Sequence, residues 1–189
     1  KEISKRYGEV TDVKKWIQLS QHIQAIALKK DIQAHRLSAP HCMGTLFWQL
    51  NDCWPGPSWS VIDSDLNKKV GYDVVQKQFS PLLVVADTIG NALHFSLTSD
   101  IVETQEVLLH AYIIHQHKPI LVLDAYPVTV PFLTHVQTNP IDLDEIFKVY
   151  SKDDVSAEYH AIHTVSGDTL FSDIFYFGFS PAEKEILNN

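Results

Sequence analysis

The sequence predicts two fold classes in succession: an α/β segment over residues 1–80, then an all-β antiparallel sandwich over residues 81–189. Three observations carry this expectation. Apolar residues recur at three- and four-residue steps before Ser38, a nearly unbroken apolar run fills 44–50, and beyond Pro81 the pattern changes to period two. Charge changes at the same place: residues 1–80 hold 11 Lys and Arg against 8 Asp and Glu, a net +3, whereas 81–189 hold 4 against 15, a net −11. So abrupt a shift places a boundary near Pro81.

From Thr11 to Ser38 the residues Trp16, Leu19, Ile23, Ile26, Ala27, Ile32 and Ala34 mark an amphipathic helix, with Thr11 or Asp12 as N-cap and Pro40 as its stop. The run GTLFWQL, 44–50, is bounded by turn formers and reads as a strand buried on both faces of a parallel sheet. Alternation puts Gly44, Leu46, Trp48 and Leu50 on one face, and Thr45, Phe47 and Gln49 on the other, toward the helices. A shorter helix fits Tyr72 to Phe79. Helix, buried strand, loop and helix make one slice of a (β/α)8 barrel, whose closure takes eight slices and about 250 residues.

Beyond Pro81, LLVVADT and ALHFSLT flank the turn Ile89-Gly90-Asn91, followed by EVLLHAYII, ILVLDAY, VTVPFLT, SAEYHAIHT and TLFSDIFYFGF. Seven or so short strands in about 100 residues point to a sandwich of immunoglobulin-like type.

With 45% hydrophobic and 20% charged residues the chain is globular rather than disordered. No apolar run reaches the roughly 18 residues of a membrane span, and the opening KEISKRYGEV lacks a signal-peptide core, so the expectation is a soluble chain with no membrane partner. The net charge of −8 argues against nucleic acid held through phosphates. Cys42 and Cys53 flank the expected strand, too far apart along an extended chain for a disulfide, and are expected as free thiols.

The densest chemical signal is WQLNDCWPGPSWSVID, 48–63, at the C-terminal end of the expected strand, which in an α/β barrel is the catalytic face. Trp48 offers an apolar plane to the C–H side of a pyranose, while Asn51 and Asp52 offer a donor and acceptors to hydroxyls. The competing reading is that Trp48, Trp54 and Trp59 are packing, with Pro55 and Pro57 as rigid loop elements. Other constellations fall short. Asp63, Asp65 and Asn67 imitate the start of an EF-hand loop, but Lys68 and Val74 stand where Gly and Glu are required, so no calcium site is expected. His115 and His117 would share one strand face, with His110 out of register, and no third metal ligand is evident; solvated histidines are expected. Tyr159, Phe171, Phe175, Tyr176, Phe177 and Phe179 are assigned to a sandwich core or junction rather than to a sugar-stacking platform.

The stretch MGTLFWQLNDCWPGPSWSVID, followed by GYDVVQKQFSPLLV, resembles the eighth strand and eighth helix of β-mannosidases of glycoside hydrolase family 2. WIQLSQHIQAIALKKDIQAHR resembles their seventh helix, and SDIFYFGFSPAEKEIL the segment leaving the following sandwich. The resemblance implies that 1–80 are the closing segment of a (β/α)8 barrel and 81–189 an immunoglobulin-like sandwich. It implies a retaining exo-hydrolase of terminal β-D-mannose, acting on a mannose-containing oligosaccharide, with Trp48 lining the subsite of the terminal sugar and Asn51 and Asp52 beside it. Such an enzyme needs no cofactor or metal. The family supplies its two catalytic Glu from motifs expected upstream of Lys1; Glu2 and Glu9 sit in neither motif, and nothing in the sequence raises the pKa of Asp52, Asp63 or Asp65 to replace them. The implied partner is the remainder of a parent chain, and without it a strand at 44–50 with bare edges is expected to drive self-association. β-Galactosidases and β-glucuronidases share the architecture, and a non-catalytic carbohydrate-binding module built on the sandwich is the alternative from another class. Compartment is not legible.

Overall fold

The computed structural model describes residues 2–188, the side chain of Asp124 excepted. In chain order the elements are α1 (Glu2–Tyr7), α2 (Val13–Leu37), α3 (Val70–Gln78), β1 (Leu82–Ile89), β2 (Ala92–Ser99), β3 (Gln105–His115), β4 (Lys118–Val130), β5 (Val136–Gln137), β6 (Ile141–Asp142), α4 (Asp144–Val149), a 3-10 turn (Lys152–Asp154), β7 (Val155–His163), β8 (Thr169–Tyr176) and α5 (Pro181–Asn188). Antiparallel sheets dominate, with a few helices. The chain divides into two units: one takes in the residues up to Arg36, Gly44–Phe79 and those from Ser180 on, the other Leu37–Met43 and Ser80–Phe179.

The second unit is a sandwich. One sheet pairs β1 with β2, which also pairs with β5 and β6; the other runs β4-β3-β7-β8. Register is set by tight turns. The β1–β2 ladder closes at Ile89↔Ala92 over Gly90, whose φ of +65° its missing side chain permits. The β3–β4 ladder closes at His115↔Lys118 over Gln116 and His117, both at positive φ, the conformation a two-residue primed hairpin turn requires. His117 therefore lies in a turn, not on the face expected to hold it with His115, and the His115 ring packs on Tyr150 at 4.6 Å.

A second difference is β4, one strand of 13 residues where the sequence reads as two, ILVLDAY and VTVPFLT. It passes through Pro127 because it is an edge strand, where a missing N–H leaves no inner ladder bond unmade. The core holds Leu93, Phe95 and Leu97 of β2, Val107, Leu109, Ala111 and Ile113 of β3, and Ala157, Tyr159 and Ala161 of β7. Phe95 and Tyr159 meet at 5.2 Å between centroids, and Phe171 lies over Tyr159 at 6.3 Å. The aromatics assigned to the sandwich core or junction are mostly interior: Tyr159 and Phe171 are buried, and Phe175 and Phe177 pack against the core.

In the first unit α2 starts where the sequence places it, with Asp12 Oδ1 accepting the Lys15 N–H at 2.7 Å as an N-cap. A small core of Ile32, Val61 and Val75, with Leu28, Phe47, Ile62 and Tyr72 against it, joins α2, α3 and the chain before α3. Gly71 makes the approach possible: a Cβ there would stand 3.2 Å from Val61 and 3.4 Å from Leu28.

α5 begins with a capping box that the phrase SPAE spells. Ser180 N–H donates to Glu183 Oε2 at 2.9 Å, Glu183 N–H to Ser180 Oγ at 3.3 Å, and Pro181 takes the first helical position. Glu183 is buried, and its other oxygen accepts from Arg6 Nη2 at 3.0 Å and from the Tyr7 hydroxyl of α1. Burial alone would raise its pKa, but donation from Tyr7 and Ser180 and the charge of Arg6 prevail and hold it below the ordinary 4.5. Burial, with donation to Glu183, lifts the Tyr7 hydroxyl to about 12.

A depressed carboxylate pKa adds stability that is full above its unfolded value and is lost as pH falls through the folded one. The melting midpoint should therefore drop on acidification below the ordinary 4.5 of Glu183. Glu183→Gln should melt lower at neutral pH and show a shallower acid drop. Thermal melts of both forms across that range check it, and parallel acid limbs would contradict it.

Candidate functional site

The segment 44–50 departs from the expected strand. Its residues form no named strand, and the backbone bends at Trp48 and Leu50. The period-two pattern survives nonetheless. Leu46, Trp48 and Leu50 are 99%, 72% and 53% exposed, whereas Thr45, Phe47 and Gln49 are half-buried. Thr45 Oγ1 bonds His35 Nδ1 of α2 at 2.8 Å, and Phe47 enters the Ile32–Val61–Val75 cluster, as alternation predicts. The peptide bond between Trp48 and Gln49 is cis.

Where the segment ends, pairing begins. Ile62 N–H donates to Leu50 O at 2.9 Å, Asp52 N–H to Ile62 O at 3.0 Å, and Lys69 N–H to Val61 O at 2.9 Å. These bonds bring the start of the 53–60 loop beside its end and beside the residue before α3. Asn51 is exposed here, its side chain reaching only Asp52 O at 3.4 Å.

Asp52 is turned the other way. It is 9% exposed, and its Oδ2 accepts from Ser60 Oγ at 2.6 Å, Ser58 Oγ at 2.7 Å and Lys69 Nζ at 3.1 Å. Lys69 also donates to Ser60 Oγ at 2.7 Å and to Ser58 Oγ at 3.2 Å. Hydrogen bonds from Ser58 and Ser60, then the Lys69 cation, hold the carboxyl at about 2. The acceptor expected for a sugar hydroxyl is thus engaged within the loop, on which Trp54 and Trp59 stand 75% and 73% exposed. Gln24 of α2 fixes that loop by donating to Trp59 O at 2.7 Å. Sequence reasoning gave Ser58, Ser60 and Lys69 no role; the buried Asp draws them together, and only Lys69 Nζ could have been suspected, as a counter-ion.

The EF-hand likeness resolves as a turn. Asp63 accepts the backbone N–H of Asp65 at 2.9 Å and of Asn67 at 2.8 Å, and the Asn67 side chain at 3.0 Å, which lowers its pKa, Asn67 contributing most. Among the described residues no three His, Cys, Asp or Glu are placed to hold a metal ion. Among the described residues Cys42 and Cys53 form no disulfide.

No family model matches the chain. It is 38% identical over 77 residues to β-mannosidase B of Aspergillus niger and 36% identical over 77 residues to that of Emericella nidulans; each match takes in 39% of this chain and 9% of the relative. Among solved structures, the β-D-mannosidase of Dictyoglomus thermophilum is 25% identical and superposes with a TM-score of 0.75 over 90% of this chain and 20% of that one. The exo-chitosanase of Amycolatopsis orientalis, 13% identical with a TM-score of 0.68 over 92% of this chain and 20% of that one, shares the fold. These likenesses make the chain a homologue of glycoside hydrolases, spanning a tenth to a fifth of their length. It is similar to β-mannosidases in sequence and in fold, and to the exo-chitosanase in fold alone.

The two faces of the 44–50 segment should respond differently to truncation. Phe47→Ala removes a half-buried ring from the first unit's core and is expected to cost about 2 kcal/mol, below the cost for a fully buried Phe. Trp48→Ala should stay within about 0.5 kcal/mol of the parent chain, as an exposed substitution. Urea unfolding of the two variants measures both; equal losses would mean that Trp48 is packed.

Proposed function

We propose that this chain is the closing segment of the catalytic (β/α)8 barrel of a retaining exo-β-mannosidase, with residues 1–80 as barrel and 81–189 as an immunoglobulin-like sandwich. The observation that carries the reading is the 44–50 segment: covered by helices on one face, and bare along Leu46, Trp48 and Leu50 on the other. That is the state of a barrel strand lacking its neighbours. The likeness to a β-mannosidase over 90% of the chain supports it.

In this reading Trp48 stacks on the terminal mannose and Asn51, exposed beside it in sequence, bonds a hydroxyl. Asp52, engaged by three donors, holds the loop instead of the sugar. Retaining hydrolysis needs two carboxyl groups about 5–5.5 Å apart, one to attack the anomeric carbon and one to protonate the leaving oxygen and then activate water. Neither Asp52 nor Glu183 suits the acid role, because both are held in the ionised form. The pair is supplied by the rest of the parent enzyme, and the sugar substrate is a β-mannoside.

Two outcomes follow. The 189-residue chain alone should not turn over an aryl β-mannoside, whereas in the parent enzyme Trp48→Ala should lower kcat/KM on the order of 10²-fold or more. Turnover by the purified chain, or a Trp48→Ala enzyme of undiminished efficiency, would sink the assignment. The chain alone should also self-associate through Leu46, Trp48 and Leu50, which present a row of exposed apolar side chains. Sedimentation velocity reads this directly, and a monomer at all concentrations contradicts it.

A further inference from the structure

The cluster around Asp52 is more elaborate than the local fold requires. The helices are already joined by Ile32, Val61 and Val75, and a buried ion pair seldom stabilises a protein more than apolar side chains of the same size would. What the cluster does is geometric. One carboxylate oxygen gathers donors from residues 6, 8 and 17 positions further along the chain, so the end of the 44–51 segment, the 53–60 loop and the residue before α3 share one fixed point. The loop is stiffened again by Pro55 and Pro57 and by Gln24 on the Trp59 carbonyl. On it stand two indoles about three-quarters exposed, an orientation that burial does not reward. Rigid, exposed Trp side chains are low-entropy planes for the C–H faces of sugars.

We propose that Asp52 is a positioning residue for oligosaccharide recognition: through Ser58, Ser60 and Lys69 it fixes the loop bearing Trp54 and Trp59, and those indoles bind sugar units beyond the terminal mannose. This rests on the mannosidase reading. Asp52 itself touches no sugar, and its effect passes through the indoles.

The test has two arms. In the 189-residue chain with 15N-labelled indoles, Asp52→Asn should shift or broaden the Trp54 and Trp59 N–H resonances and leave Trp16, on α2, in place. Unchanged Trp54 and Trp59 signals in a folded variant would overturn the proposal. In the parent enzyme, Asp52→Asn should raise KM for a mannosyl oligosaccharide about 10- to 100-fold, the size of effect a displacement of about 1 Å brings. Its kcat on an aryl β-mannoside should change by less than about threefold, and Trp54→Ala or Trp59→Ala should repeat that split. An equal loss on both substrates would assign Asp52 to the fold alone and overturn the proposal. Should Asp52→Asn fail to fold, Ser58→Ala with Ser60→Ala keeps the ion pair, removes two of the three donors, and must show the same split at smaller size. A wild-type parent enzyme inactive on every β-mannoside would overturn the mannosidase reading, whereas the indole spectra would still decide whether Asp52 positions the loop.

Discussion

The structure of the first unit depends on one constraint: the segment 44–50 is covered on one face only. Its side chains alternate, so helices along one face cover Thr45, Phe47 and Gln49 and leave Gly44, Leu46, Trp48 and Leu50 bare. Phe47 then becomes the contact through which the segment joins the Ile32–Val61–Val75 core, and Gly71 lets α3 come close enough to complete it. The exposed row is not a failure of folding. It is the complement of a half-buried row, and its apolar character calls for a partner on the other side.

The sandwich needs no such partner for its own core. Two hairpin turns fix register, β1 is buried through Leu82–Ala86, and Phe95, Tyr159 and Phe171 fill the interior between the sheets. The 15 acidic side chains that give residues 81–189 their net −11 are spread over strands, turns and the short helices. The chemistry that distinguishes the chain therefore concentrates in about 20 residues of the first unit.

Much of this was legible in the sequence because it depends on periodicity. Helix α2, its Asp12 cap, helix α3, the β1 and β2 hairpin and the facing of Phe47 all follow from apolar spacing and local turn chemistry. The misreadings depend on what spacing cannot carry. Residues 44–50 have a strand's pattern without a strand's neighbours, and a ladder is a property of pairs. His117 has a strand neighbour's spacing, but Gln116 and His117 adopt the turn that closes β3 on β4. Pro127 reads as a break until β4 is known to be an edge. Asp52 reads as a free acceptor because its partners are serines and a lysine, residue types too common to announce a cluster.

Asp52 and Glu183 show why burial of a carboxylate is not enough to name a catalytic group. Each is nearly inaccessible and has a displaced pKa, the two signs by which an active-site acid is usually sought. In each the displacement is downward, because hydroxyl, amide and cationic donors converge on the ionised form faster than burial disfavours it. A general acid for glycoside cleavage requires the opposite balance, apolar surroundings that keep the proton on until the leaving oxygen takes it. These two carboxylates are therefore built to stay charged and in place, one closing a helix and one closing a loop.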